Sequence, residues 1–495
     1  MSQPLKSGGV GSAGLAALLL AALVGAAPAS AALTECRVPG LRNAVQCGVL
    51  QRPLDPARPD ATRIDLHYVV VPALARRKRA DPVFLLAGGP GQSAIDLAPN
   101  VMPLFARLNN RRDIVFVDQR GTGRSAPLDC GDTQREPLAE QADPVRQALR
   151  LNECLARLRK LPHGDPRFFT TTIAMQDLDA VRLELGAAQI NLVGASYGTR
   201  AALEYQRLFP QAVRRSVLDG VAPPDMGLVA SLAVDSRAAL QAMFAACEAE
   251  LACRGRYPLL RADWAALVAS LPRAIEVEHP LTGAPERLTL TREMLFGIVR
   301  GPMYAPALAA ALPAAIDAAA RRGDFRGLMG VGSLLQSRRG TRLAMGMHLA
   351  VVCAEDQASV VAEPDPANDF IDGSARLYRS ACADWPRGDV SAGFYRLAPA
   401  RSPVLMLSGG LDPATPPRHA QHAAQALGPL AQSVVVENAG HGLLGLPCLR
   451  DVIFRFIDAD EAPEGAKTAA TAGTACAASV PRPPAFRPAG AGSAP

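Results

Sequence analysis

The chain has 495 residues, 49% of them hydrophobic and 20% charged, with Gly and Pro at 42 each; this balance fits a globular enzyme core and excludes fibrous, coiled-coil and wholly disordered classes. The formal charge of +6 is a weak bias scattered over many arginines, and aromatics make up only 5%. The basic run Arg76-Arg77-Lys78-Arg79, with no stacking residues among it, therefore reads as a solvated loop between strands, and no nucleic-acid partner is expected.

Met1 to Ala31 reads as a signal peptide: Lys6 is its only basic side chain, Ala13 to Ala27 is apolar or small throughout, and Ala29-Ser30-Ala31 supplies a small-residue cleavage signal. The apolar stretch is too short to span a bilayer comfortably, so export to periplasm or medium is expected, with no stable membrane insertion after cleavage. Glu35 before Cys36 does not suit lipoprotein processing. Ten cysteines in an exported chain predict disulfides, and pairing neighbours along the chain gives Cys36 with Cys47, Cys130 with Cys154, Cys247 with Cys253, Cys353 with Cys382 and Cys448 with Cys476.

From Ile64 onward, short β-branched runs end in Gly- or Asp-containing turns. Val83–Leu86, Ile114–Val117 and Ile190–Val193 are the clearest strands, and Ile173–Leu185 reads as a helix capped by Thr171 or Thr172 and ended by Gly186. Ser216–Leu218, Val404–Leu407 and Val434–Val436 add three more strands. The expected fold is α/β: a mostly parallel sheet flanked by helices, interrupted by a large inserted helical region. The expected division is a signal at 1–31, core at 32–224, a cap at 225–398 containing the helix Pro313–Arg322, core again at 399–458, and an Ala/Pro/Gly-rich tail at 459–495. That tail is tied back only if Cys448 pairs with Cys476.

The sharpest local pattern is Gly194-Ala195-Ser196-Tyr197-Gly198, where a buried strand runs into G-x-S-x-G and a helix follows. So tight a turn needs minimal side chains two residues either side of the serine, and it pushes the hydroxyl out at the sheet's edge. Serine is a poor nucleophile unless a base and an orienting acid serve it. Asp412 and His441 follow later strands in the chain order this arrangement requires, so Ser196, Asp412 and His441 form the expected triad. Asp219, just past Ser216–Leu218, is the rival acid. Gly88 and Gly89 in Leu86-Ala87-Gly88-Gly89-Pro90-Gly91, with the N–H of Tyr197, are the expected oxyanion donors. His419 and His422 could share a helix face but show no acidic or Cys ligands nearby in sequence, so no metal site and no cofactor is expected.

Gly88-Gly89-Pro90-Gly91, Asp118-Gln119-Arg120-Gly121-Thr122-Gly123-Arg124-Ser125, Gly194-Ala195-Ser196-Tyr197-Gly198-Thr199, Asp412 and Gly440-His441 together resemble the exported tripeptidyl-aminopeptidase and proline-iminopeptidase branch of the α/β-hydrolases. The C-terminal region through Cys448 and Cys476 resembles that group's as well. Ala87 departs from the pattern, since proline iminopeptidases usually carry a His there. The resemblance implies a serine hydrolase that releases short N-terminal units from peptide substrates, with acidic cap residues receiving the free α-ammonium; Glu355 and Asp356 are the candidates. It also implies that Asp118 and Arg124 fix a loop. A carboxylesterase would use the same triad, and a noncatalytic exported binding protein could keep the fold. The sequence assigns no oligomeric state.

Overall fold

The computed structural model describes residues 33–334, 342–361, 371–459, 465 and 473–486; the expected signal Met1–Ala31 and most of the tail lie outside them. Its centre is a nine-stranded sheet of β1 (Thr34–Cys36), β2 (Val45–Pro53), β3 (Arg63–Val71), β4 (Val83–Leu86), β5 (Ile114–Val117), β6 (Ile190–Ala195), β7 (Val213–Asp219), β10 (Val404–Gly409) and β11 (Ala431–Val436). The order across the sheet is β1-β2-β3-β5-β4-β6-β7-β10-β11. The pairings β1–β2, β2–β3 and β3–β5 are antiparallel, and every later pairing is parallel.

β4, β5 and β10 are buried along their whole length, as expected of parallel strands covered on both faces. Alternate residues feed two cores. Phe84, Leu86, Val115, Leu192, Leu218 and Met406 pack on one side with the helices Thr171–Glu184, Tyr197–Leu208 and Pro417–Leu427. Val83, Leu85, Phe116, Val193, Val217 and Leu407 pack on the other with the helix Pro447–Asp458.

Three strands run further than their apolar stretches suggest. β7 begins at Val213 because its charged residues are satisfied where they stand: Arg214 Nη1 donates to Ile457 O at 2.7 Å and Arg215 Nη1 to Phe456 O. These carbonyls end the helix Pro447–Asp458, where cations are favoured. β10 continues to Gly409, and β11 begins at Ala431. The helix expected over Ile173–Leu185 spans Thr171–Glu184 and has Thr170 at its N-cap with no side-chain cap bond, so Thr171 and Thr172 lie inside its first turn.

Between β7 and β10 the chain leaves the sheet, yet β7 and β10 pair directly, Ser216 opposite Val404 and Asp219 opposite Leu407. The excursion is mainly helical, including Leu228–Ala249, Arg292–Met303, Leu312–Arg322, Met345–Glu355 and Ile371–Asp384. It also holds an antiparallel hairpin that the sequence reading did not anticipate, β8 (Arg273–Glu278) with β9 (Pro285–Leu290). Its alternate side chains Ile275, Val277, Leu288 and Leu290 close a separate core with Phe244, Trp264 and Phe296. Leu228–Ala249 is long and apolar enough to cross a membrane by length and composition. Here, however, it carries the buried Asp235, whose carboxylate takes a bidentate bond from Arg418 at 2.7 and 3.0 Å.

All ten cysteines pair, each with its neighbour along the chain. That number of disulfides fits a protein maturing in the periplasm or outside the cell. Cys36 is therefore half of a disulfide, and Cys448–Cys476 ties the described part of the tail to the core. The 76–79 run is an exposed loop between β3 and β4.

Candidate active site

The segment Gly194–Gly198 is a sharp strand-to-helix turn. Ser196 takes φ +56° and ψ −124°, a left-handed backbone that costs a non-glycine residue roughly 1–3 kcal/mol. The turn closes only because its glycines lack side chains: a Cβ on Gly194 would lie 2.4 Å from Gly198 O, and one on Gly198 would lie 2.1 Å from Leu86 O. The strained serine is held at both ends. Its N–H donates to Asp219 O at 2.8 Å, and its carbonyl accepts from Thr199 N at 2.8 Å and Thr199 Oγ1 at 2.6 Å. The side chain is half-buried and hydrogen-bonds to no described residue.

Asp412 stands just past β10 and His441 just past β11, and the structure brings them together. His441 Nδ1 lies 2.8 Å from Asp412 Oδ2, which makes Nδ1 the protonated nitrogen and leaves Nε2 to accept. The carboxylate also accepts from Ala414 N at 2.7 Å, Thr415 N at 2.9 Å and Thr415 Oγ1 at 2.8 Å. Burial opposes its charge, but the facing imidazole and these donors outweigh burial, and the Asp412 pKa falls below its ordinary value. Burial likewise opposes imidazolium, and the Asp412 charge and hydrogen bond outweigh it, raising the His441 pKa above 6.5. The His441 side chain keeps 15% exposure against 0% for Asp412, so the base reaches solvent and the acid does not.

Ser196 and His441 converge on one short segment. Ser196 is bonded to Asp219, and a Cβ on the next residue, Gly220, would stand 3.2 Å from His441 Cε1. Asp219, the rival acid, does not touch the imidazole ring by hydrogen bond. Its buried carboxylate accepts from Leu443 N at 2.9 and 2.7 Å and from Leu444 N at 2.9 Å, immediately after His441. Asp219 thus fastens the serine turn through its carbonyl and the histidine loop through its side chain. Burial, the largest influence, pushes its pKa up to about 6. From the other side, Tyr304 O accepts from His441 N at 2.8 Å, and the Tyr304 ring stands edge-on to the imidazole with centroids 5.1 Å apart.

Gly88 borders the serine: a Cβ there would be 3.2 Å from Ser196 Cβ. Gly89 has φ +111°, and Tyr197 opens the helix behind Ser196, where first-turn N–H groups lack intrahelical acceptors. The cap holds this loop in place. Ala344 N donates to Gly91 O at 2.9 Å, and His348 Nδ1 lies 3.0 Å from Pro90 O while its Nε2 lies 2.8 Å from Tyr378 Oη. From beneath, Asp118 accepts from Ser93 Oγ at 2.7 Å, Ile95 N at 3.1 Å and Arg124 N at 3.3 Å. The Asp118 side chain and the Arg124 backbone are therefore loop-fixing groups.

Glu355 and Asp356 are committed inside the protein. Arg200 Nη1 donates to Asp356 Oδ2 at 2.9 Å, with both side chains 1% exposed. Leu228 N donates to Asp356 Oδ1 at 2.9 Å. Glu355 accepts from Thr171 N at 2.7 Å and Thr171 Oγ1 at 2.9 Å, so it caps the helix Thr171–Glu184 in place of Thr170. Burial pushes the Glu355 pKa up to about 7. Neither carboxylate offers surface to a substrate cation; together they tie the cap to the helix behind Ser196. The histidines of Pro417–Leu427 do have acidic partners, far away in sequence: His419 Nε2 lies 2.8 Å from Asp235 Oδ2, and His422 Nε2 lies 2.6 Å from Asp225 Oδ2. No group of three or more metal-binding side chains occurs among the described residues.

Sequence reasoning passed over Thr415, Tyr304 and His348. Only Thr415 left a local trace, as the fourth residue of the turn Asp412-Pro413-Ala414-Thr415, where Asp at the first position is favoured.

A mostly parallel sheet with a serine turn, an acid and a histidine at the C-terminal ends of its strands defines an α/β hydrolase. Two family models agree: one described as alpha/beta hydrolase fold matches residues 81–246, and one described as TAP-like protein matches residues 369–476. The chain has the α/β-hydrolase fold, and the TAP-like match is carried by its C-terminal part. A tripeptidyl aminopeptidase of Streptomyces lividans is 34% identical over 197 residues, which span 36% of this chain and 36% of that protein. The chain thus aligns with little more than a third of that relative's length. Serine protease Hip1 of Mycobacterium tuberculosis is 26% identical over 438 residues, 79% of this chain and 80% of that protein. The crystal structure of a proline iminopeptidase from Mycobacterium smegmatis covers 83% of this chain and 97% of its own, with 16% identity and a TM-score of 0.38.

Proposed function

We propose that the protein is an exported serine peptidase that releases short N-terminal units from peptides through an acyl-enzyme. The observation that carries this reading is the His441–Asp412 pair, with Nδ1 protonated and Nε2 free, converging with Ser196 on Asp219–Gly220. Ser196 Oγ attacks the scissile carbonyl while Nε2 takes its proton. Negative charge on the tetrahedral oxygen is met by N–H groups of the Gly88–Gly89 loop and Tyr197. His441 then hands the proton to the leaving amine, and water, deprotonated by the same nitrogen, releases the acyl group. The Ser–His hydrogen bond forms as substrate fills the site; such bonds are often long or unmade in unliganded enzymes.

The peptidase choice over an esterase draws on the tripeptidyl aminopeptidase and serine protease relatives. Glu355 and Asp356 take no part in this scheme, because both are consumed within the protein. A panel of mono-, di- and tripeptidyl anilides, free and N-blocked, beside short acyl esters tests the reading. Preferential cleavage of the free-amine peptidyl anilides supports it; turnover of esters alone would replace it with the esterase.

A further inference from the structure

Arg300 lies on the cap helix Arg292–Met303 and is half-buried. Its Nε donates to Ser236 Oγ at 3.1 Å and its Nη2 to Tyr304 Oη at 2.5 Å, and the guanidinium carbon is 5.1 Å from the Tyr304 ring centroid. Both partners lead to the candidate triad: Ser236 Oγ donates to Pro413 O, next to Asp412, at 3.3 Å, and Tyr304 packs on His441. The charge is felt at His441 and also at Tyr378, whose hydroxyl meets His348 over the Gly88–Gly91 loop. Arg300 therefore stands in the cap between the imidazole side and the oxyanion-loop side of the site.

Its partners are neutral. Of the five guanidinium N–H groups, those used are one on Nε and one on Nη2, and no carboxylate pairs with Arg300 among the described residues. Three fully buried arginines are each matched by an acid: Arg112 by Asp81 and Asp458, Arg120 by Asp177, Arg200 by Asp356. A partly desolvated cation with open donors is poised for an anion, and the planar fork suits a carboxylate.

We propose that Arg300 receives a carboxylate of the substrate on the leaving-group side, so that the enzyme favours peptides whose released portion carries one. The side follows from the chemistry: Nε2 of His441 must protonate the leaving amine, so the leaving peptide lies against the imidazole, and Arg300 is one aromatic ring beyond it. This rests on the peptidase reading above. The carboxylate comes from the C-terminus of a short peptide or from an acidic side chain, and the same guanidinium chemistry serves both.

The test compares three forms of one cleavable peptide: free C-terminal acid, C-terminal amide, and amide with Asp in the released portion. kcat/KM should favour a carboxylate-bearing form over the plain amide by about tenfold or more, the scale of a charge-assisted hydrogen bond. Arg300→Gln should bring that ratio close to one, whatever its effect on overall rate, while Arg300→Lys keeps part of it. Preference for the free acid points to the terminus, and preference for the Asp form points to the side chain. Equal rates for all three forms in the unaltered enzyme, or a ratio untouched in Arg300→Gln, would overturn the inference alone. Ester turnover with no peptide cleaved would overturn the peptidase reading and the inference with it.

Discussion

Replacing Asp219 with Asn separates the stability of this enzyme from its activity. The unaltered carboxylate is buried, its pKa pushed up to about 6 from an ordinary 3.8. A raised carboxyl pKa means that the folded state disfavours the charge. This group's contribution to stability is therefore complete below pH 4, is lost as pH rises to 6, and is flat above. The full cost is about 3 kcal/mol at pH 8, of which about 1 kcal/mol accrues between pH 5 and pH 8. Asn removes that charge but leaves the Leu444 N–H facing an amide NH2, an unsatisfied buried donor costing about 1–3 kcal/mol. The two effects nearly cancel at pH 8, and the variant should be less stable than the parent at pH 5. Activity should not recover with stability, because the loop carrying His441 loses its anchor: kcat should fall about tenfold or more at pH 8, with KM little changed. Thermal melts at the two pH values beside steady-state kinetics check this. A variant with parental kcat, or one whose relative stability is the same at pH 5 and pH 8, would refute the anchoring role.

His441 must be neutral to accept a proton, and its pKa is held above 6.5 by Asp412. kcat/KM should accordingly fall as pH drops through a midpoint above that value, and Asp412→Asn should move the midpoint down while cutting kcat by roughly 10⁴. A Cβ on Gly198 would meet Leu86 O at 2.1 Å and Ala87 O at 2.9 Å. Gly198→Ala should therefore force the serine turn away from β4, costing about 1–3 kcal/mol or more and lowering both Tm and kcat; parental values of both would contradict the close approach.

The parts of this structure that announce themselves in sequence are local. Gly194-x-Ser196-x-Gly198 is legible because backbone collisions dictate its glycines, and Asp412 and His441 because each follows an apolar strand into a turn. The even cysteine count announces disulfides, while their connectivity is fixed only by which residues the fold brings together. What stayed hidden depends on contacts across the fold. Asp219 looks like a strand-end turn residue until its carboxylate is found on Leu443 and Leu444, more than 200 residues away. Glu355 and Asp356 look free until Arg200, an ordinary helix position in sequence, is found buried against them. Arg214 and Arg215 break the apolar pattern at the start of β7, and only the helix end at Phe456–Ile457 explains their place in a strand. The β8–β9 hairpin was obscured by its solvent-facing charges, Glu276 and Arg287 among them, which pair across the two strands.

The account stands or falls on Ser196 as the nucleophile. Treating the protein with a fluorophosphonate probe and locating the adduct by mass spectrometry tests it directly. A single modification on Ser196, absent from Ser196→Ala and accompanied there by loss of hydrolysis, is the expected result. An adduct on another residue, or undiminished turnover by Ser196→Ala, would contradict it.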